Sequence, residues 1–325
     1  MSIEIFNKIW YNTFYKGGGK MQINDLSGYL KKQFGCKVYK LSLVGCTSCP
    51  NRDGTVGVGG CIFCSESGSG EFAEKTKSSV ADQIEAAKMQ VAKKIKEGEK
   101  VKYIAYFQSF TNTYAPIEKL RKMFFAAIKH PDIAVLSIAT RPDCLSGEVI
   151  ALLNELNAIK PVWVELGLQT IHKKTAEYIR RGYELAVYDE AVKSLHQIGV
   201  SAIAHMIIGL PGESEQMIYE TAEYIGKTAD GIKMHMLYVQ KGTDLYTEYQ
   251  KGQVPLLNMD EYLGILIGCI ERLPESVVIH RMTGDGDKKT LVAPMWTANK
   301  RKVLNSISAR FRSAKIKQGR LFQKY

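Results

Sequence analysis

Six short apolar runs recur in the middle of this chain, the first five each followed by helical periodicity and the last five at roughly 30-residue intervals, the spacing of strand–helix–strand units. The runs cover residues 40–44, 103–107, 134–138, 162–166, 202–208 and 231–238. Helical patterns cover 79–96, 117–129, 146–157, 173–180 with 186–198, and 213–227. Such alternation predicts an α/β fold with a parallel sheet covered by helices. Polar residues mark the end of each run: Gln108-Ser109, Thr140-Arg141, Gln169-Thr170, Gly209-Leu210-Pro211-Gly212 and Gln240 to Thr243. A rim of that kind predicts a barrel, whose site is built at the strand ends, over an open sheet, which gathers its site at one switch point. The expected architecture is a partial (β/α)6 TIM-type barrel over 40–243. An N-terminal extension (1–39) and a C-terminal extension with a basic tail (244–325) flank it.

No run of 18 apolar residues occurs, so no membrane span is expected, and the first 20 residues lack a signal-peptide layout. A cytoplasmic protein is expected. Residues 1–287 balance 33 basic against 33 acidic side chains, whereas residues 288–325 carry eleven Lys or Arg and no acid. The whole net charge of +11 therefore sits in the last 38 residues. One reading is a solvated helix with a frayed end. The other is an electrostatic footprint for a phosphate backbone.

Four of the seven cysteines crowd into CTSCPNRDGTVGVGGCIFC, residues 46–64, directly after the first apolar run. In a reducing compartment such a group is a metal or cluster site rather than a disulfide framework. The spacing permits two readings. Four ligands, Cys46, Cys49, Cys61 and Cys64, would make a zinc ribbon. Three ligands, Cys49, Cys61 and Cys64, would leave one iron of a [4Fe–4S] cluster open to a cofactor. Cys36, Cys144 and Cys269 read as packing residues.

The cysteine loop, with Phe63 before its last cysteine, resembles that of the radical S-adenosylmethionine (SAM) superfamily, and the longer string SCPNRDGTVGVGGCIFCSESGSGEF resembles its YhcC and YtqA subgroup. The similarity continues through YFQSFTNTYAP (106–116), SIATRPDCL (137–145), VELGLQT (164–170), AHMIIGLPGE (204–213), KGTDLY (241–246), HRMTGDG (280–286) and APMWTANK (293–300). The resemblance implies a radical SAM barrel with Cys49, Cys61 and Cys64 holding the cluster. Cys46 departs from the subgroup's loop and is read as a bystander. SAM would chelate the open iron and be cleaved to a 5′-deoxyadenosyl radical by an electron from a donor such as flavodoxin or ferredoxin.

Gln169 and Arg181 match a Gln and an Arg that contact SAM in the coproporphyrinogen-oxidase-like and Elongator-like relatives, and His205 matches a ribose-facing position. Gln108 lies where the amino group is usually held, although the usual GGE triplet is missing. Thr140 and Glu165 are further rim candidates for cofactor contact, and Asp285 and His280 are candidate proton handlers over the mouth. Each is equally a polar group that a neighbouring loop would satisfy. Gly209-Leu210-Pro211-Gly212 lacks the ending of a phosphate loop and reads as a tight turn.

The YtqA-like branch implies an MnmL-type tRNA modification, conversion of 5-carboxymethylaminomethyl-(2-thio)uridine at wobble position 34 to the 5-aminomethyl form. The basic C-terminal segment would grip the anticodon region. Two alternatives remain at this point: the same chemistry on a peptide or small metabolite, and a zinc-bearing RNA-binding protein without catalysis.

Overall fold

The structure, a computed structural model, describes residues 22–65, 68, 79–284, 286–314 and 316–323. After helix α1 (Leu26–Phe34), strands and helices alternate: β1 (Lys37–Leu43), α2 (Val80–Ala92), β2 (Val101–Phe107), α3 (Ile117–Ile128), β3 (Ile133–Thr140), α4 (Gly147–Asn157) and β4 (Val162–Gln169). Two helices follow, α5 (Lys173–Tyr178) and α6 (Leu185–Gln197), then β5 (Ser201–Ile208), α7 (Glu215–Thr228), β6 (Gly231–Met236) and the two-residue β7 (Val239–Gln240). The C-terminal part comprises α8 (Asp244–Gln250), α9 (Met259–Arg272), β8 (Val278–Arg281), β9 (Leu291–Ala293) and α10 (Lys300–Ala314).

Side-chain caps set where the helices start, because the first turn's N–H groups have no partner within the helix. Ser79 and Asp82 form a capping box on α2, and Asn258 and Glu261 form one on α9. Ser146 and Ser214 accept from Val149 N and Met217 N at α4 and α7.

Seven strands form one parallel sheet in the order β1-β2-β3-β4-β5-β6-β8, while β7 and β9 pair separately. The sheet is curled. Lys40 on β1 reaches Glu165 on β4, and Lys233 on β6 reaches Tyr106 on β2 at 3.1 Å. On a flat sheet with strands about 4.8 Å apart those pairs would be separated by roughly 14 and 19 Å. The fold is thus the expected partial TIM-type barrel, with one correction: it has seven strands in its wall, not six. The seventh, β8, is only four residues long and lies inside the segment read as a C-terminal extension.

Strand alternation sorts the side chains. Leu41, Leu43, Phe107, Leu136, Ile138, Val164 and Leu166 point outward into the main core beneath the helices. Ile104, Val135, Trp163 and Ile203 point inward and form an apolar layer with Leu30 of α1 at the N-terminal end. Helix α1 packs on both β1 and β8, the two edges of the sheet, and Ile279 N donates to Asn24 O at 2.8 Å. The described part of the N-terminal segment therefore plugs the bottom of the barrel. The site must lie at the other end. No helix among the described residues is long and apolar enough to cross a membrane.

Candidate functional site

At the C-terminal ends of the strands lies a cavity of about 250 Å³. Nine of the eleven residues singled out from the sequence line it: Cys49, Cys61, Cys64, Gln108, Thr140, Glu165, Gln169, Arg181 and His205. The two absentees are His280 and Asp285. His280 lies in β8, with its ring 5.1 Å from that of Trp163 and its Nε2 so close to Gly231 that a Cβ there would meet it at 2.8 Å. It is 6% exposed and does not line the cavity, so its placement is that of a packed strand residue, not a proton handler over the mouth. Asp285 lies outside the described residues.

The loop between β1 and α2 divides its four cysteines. Cys46 is buried in the outward-facing core; its N–H donates to Asn112 Oδ1 (3.2 Å) and its thiol to Asn112 O (3.5 Å). Burial pushes its thiol up to about 11. The other three cysteines face the cavity. Burial, with negative charge on Cys64 and Cys49 acting in the same direction, pushes Cys61 up to about 12, so positive charge brought by iron would favour the thiolate. None of the seven cysteines forms a disulfide. Among the described residues no three sulfurs lie within 4.8 Å of one another, whereas thiolates on one tetrahedral zinc at about 2.3 Å would sit ~3.8 Å apart. Three cavity-facing thiols are a donor set that could hold a cluster with one iron left open, and the burial of Cys46 argues against a four-thiolate zinc ribbon.

Residues between the cysteines hold this shape. Asn51 Nδ2 donates to Arg180 O at 2.6 Å and to Cys61 Sγ at 3.5 Å. Arg52 ties the two arms of the loop by donating to Cys64 O at 3.0 Å and to Ser65 O. Gly60 has φ +87°, and a Cβ there would meet Arg52 Nε at 2.9 Å, so this position needs glycine both for conformation and for room. Asn112, fully buried, also donates to Ala139 O at 3.0 Å and so fastens the base of the loop to β3.

Around the rim, Gln169 takes φ +67°, a left-handed conformation rare for residues other than glycine and a mark of functional sites. Thr140 Oγ1 is 2.5 Å from Thr113 Oγ1. Arg181 lines the wall but spends its donors on carbonyls: Leu168 O (3.2 Å), Thr170 O (2.6 Å) and Tyr183 O (3.1 and 2.9 Å). That leaves it at most one of a guanidinium's five N–H groups for a ligand. Arg141, which also lines the cavity, grips the Asp143 carboxylate through Nε and Nη2 and donates to Arg181 O at 2.9 Å.

Below the rim lies a charged layer that motif reading did not assemble. Glu165, 1% exposed, accepts from Lys40 (3.2 Å), Ser137 (2.7 Å), His205 (2.9 Å) and Lys233. Burial alone would raise its carboxyl, but Lys233, Lys40 and the His205 hydrogen bond outweigh that and hold it well below the usual carboxylate range. Burial pulls the Lys233 ammonium well below its ordinary value, with Lys40 and Arg281 pushing the same way against Glu165. Burial likewise lowers His205 and, further, His235. The available signal was a lysine inside each of two apolar strands, at positions whose alternation points inward.

At the C-terminus, α10 buries Val303, Leu304, Ile307 and Phe311 and exposes Arg301, Lys302 and Arg312. These three have no acidic partner among the described residues, while Arg310, Lys317 and Arg320 pair with Asp260, Glu275 and Glu271. Among the described residues, α10 is thus a packed helix that presents Arg301, Lys302 and Arg312 to the outside.

Compared with known proteins, the chain matches the radical SAM superfamily over residues 48–225 and the radical SAM C-terminal domain over residues 229–313. It is 41% identical over 314 residues to the protein YtqA of Bacillus subtilis (strain 168), spanning 96% of this chain and 97% of that protein. A tRNA uridine(34) acetyltransferase of Methanocaldococcus jannaschii is 27% identical over 157 residues, 46% of this chain and 28% of that one. Among solved structures, an Elp3 from Methanocaldococcus infernus with an N-terminal deletion superposes with a TM-score of 0.63 at 17% identity, covering 86% of this chain and 64% of that one, a likeness of fold.

Proposed function

Because this chain belongs to the radical SAM superfamily, we propose that it is a tRNA-modifying member that converts the 5-carboxymethylaminomethyl side chain of wobble uridine 34 to the 5-aminomethyl form. One observation carries the chemistry: three thiols, Cys49, Cys61 and Cys64, face one cavity while the fourth, Cys46, is sealed in the core. A [4Fe–4S] cluster on those three would keep one iron for SAM, and when bound the pair supplies a radical that takes a hydrogen atom from the substrate. The residues of the chain hold and shield that reaction. Gln108, Thr140, Gln169 and His205 ring the cavity and are assigned to positioning SAM. Arg181 and Glu165, already engaged by neighbours, hold the wall behind them. Loss of a hydrogen atom from the methylene next to the carboxylate, and then of one electron to an external one-electron acceptor, would leave an imine, which water would split into the amine and glyoxylate as the departing two-carbon piece.

Support for tRNA comes from the exposed basic face of α10 and from the partial likeness to an enzyme named for tRNA uridine 34. A flipped-out base at the mouth is the form in which such a substrate reaches a recessed site. The test has two parts. Anaerobic reconstitution with iron and sulfide, a reductant such as reduced flavodoxin, and SAM should yield cluster absorbance and 5′-deoxyadenosine. Nucleosides from tRNA of a deletion strain should accumulate the carboxymethylaminomethyl form, which the purified enzyme then removes. An unchanged nucleoside profile would refute the tRNA assignment; tightly held zinc without 5′-deoxyadenosine would refute the chemistry.

A further inference from the structure

We propose that Arg141 raises the reduction potential of the cluster assigned to Cys49, Cys61 and Cys64, and that Asp143 opposes it. The inference rests on the cluster assignment above and is independent of which substrate the radical attacks. Arg141-Pro142-Asp143 follows directly on β3, at the end of the barrel where the cysteine loop sits.

The backbone of residues 180–182 connects this arginine to the thiols. Arg141 Nη1 donates to Arg181 O at 2.9 Å. The neighbouring carbonyl, Arg180 O, accepts from the Cys61 thiol at 3.7 Å and from Asn51 Nδ2 at 2.6 Å. Gly182 marks how close the two sides come. A Cβ there would meet Asn51 Oδ1 at 3.1 Å and Arg141 Nη2 at 3.4 Å, so the guanidinium and the amide that bonds Cys61 border one small space. Arg141 is 8% exposed, and a buried charge is screened far less than one at the surface. Burial works against the Arg141 charge, but Asp143, Cys49 and Cys61 outweigh it and hold the group above its ordinary value.

The charge pair is oriented. Arg141 lines the cavity with the three cysteines. Asp143, which accepts from Nε at 2.9 Å and from Nη2 at 2.6 Å, lines a separate groove with Pro50, Thr55 and Val56. The cation is thus on the cluster side and the anion on the far side. A reduced cluster carries one more negative charge than an oxidised one, and cluster potentials follow local charge. A cation facing the cavity therefore favours reduction, and an anion behind it disfavours reduction. Arg52 and Arg181 line the same wall but bond carbonyls, so neither offers a carboxylate through which the sign of its effect can be checked.

The test is a redox titration of the reconstituted holoprotein, without SAM or RNA, followed by the paramagnetic resonance signal of the reduced cluster. Arg141→Gln should lower the equilibrium constant for reduction roughly tenfold, ~59 mV toward negative potential for one electron, the order of one partly buried charge. Arg141→Lys keeps the charge and should recover most of the native value. Asp143→Asn should move the potential the other way and by less, because its carboxylate is the more exposed of the pair. Opposite signs are the readout that a purely structural turn would not give, since loosening the turn moves both variants together. Shifts of one sign, or changes under about twofold in both variants, overturn the proposal. If Arg141→Gln takes up no iron, Asp143→Asn decides, and a potential at or below the native one overturns it. An unchanged potential in Arg141→Gln with weakened SAM binding assigns the guanidinium to the carboxylate of SAM and overturns it as well. Zinc without any one-electron couple sinks the cluster assignment together with the proposal, whereas an intact cluster with shifts of one sign sinks the proposal alone.

Discussion

Replacing Glu165 by glutamine removes the anion that Lys40, Lys233 and His205 share while keeping its shape. In the native protein the carboxylate faces Lys233, Lys40 and His205 and is itself almost fully buried. Breaking a buried ion pair from one side costs about 3–5 kcal/mol, because the remaining charges are left without compensation. At ~2.1 cal/mol/K per residue, the unfolding entropy of 325 residues is about 0.7 kcal/mol/K, so the melting temperature should fall by roughly 4–7 °C. A second change, Lys233→Met in the same chain, should restore part of the loss, since it removes a stranded cation. The pH dependence has a defined sign. The folded-state carboxyl is held below its unfolded value, so its contribution is complete above the unfolded value of about 4.3 and is lost as the pH falls toward the folded one. The gap between native protein and Glu165→Gln should therefore stay constant down to about pH 5 and narrow below that. Thermal unfolding followed by circular dichroism at stepped pH measures both. A melting temperature within about 1 °C of native, or a double variant less stable than Glu165→Gln, would refute the view that uncompensated cations dominate this layer.

The division of the cysteines predicts an asymmetry. Cys49→Ala, Cys61→Ala and Cys64→Ala should each lose the reconstituted cluster absorbance, and Cys46→Ala should keep it; iron loss on changing Cys46 would restore the four-ligand reading. On α10, the triple change Arg301→Gln, Lys302→Gln, Arg312→Gln should leave folding intact and weaken tRNA binding. The slope of log K against log salt should decrease by about 2–3 if each contacts one phosphate, and an unchanged slope would remove the helix from the interface. Deleting the whole segment is the weaker experiment, because it also removes Val303, Leu304, Ile307 and Phe311 from the core.

The fold was legible because its signal is periodic. Six strands lie where the apolar runs placed them, and the boundaries of the helices between them differ by a few residues at most sites. Helix α2 stops at Ala92, not at 96, and α5 at Tyr178, not at 180. The omission was β8. A run of four residues between turns carries too little alternation to identify a strand, and β8 is specified by its neighbours: Val278 N donates to Asp230 O and Ile279 N to Asn24 O. Both partners are distant in sequence, so nothing local records them. Missing that strand also moved His280 from the wall of the barrel to an imagined lid.

The site divides in the same way. Cys49, Cys61 and Cys64 and the rim residues could be named from sequence because each is set by position along one loop or at the end of one strand. Lys40, Tyr106, Lys233, His235 and Arg281 could not, because their meaning arises only when β1, β2, β6 and β8 curl to face one another. A lysine in an apolar strand is compatible with an edge position or a surface-seeking side chain until the curl is known. Once it is, the same lysines enclose Glu165, and Glu165 changes from a candidate cofactor contact to the counter-ion of a buried cationic floor. The rim reading and the floor reading therefore make opposite demands on this one residue: a rim contact would show in SAM affinity when Glu165→Gln is made, whereas a counter-ion shows first in stability and in its pH dependence. Its four donors, all within the protein, place the larger effect in stability.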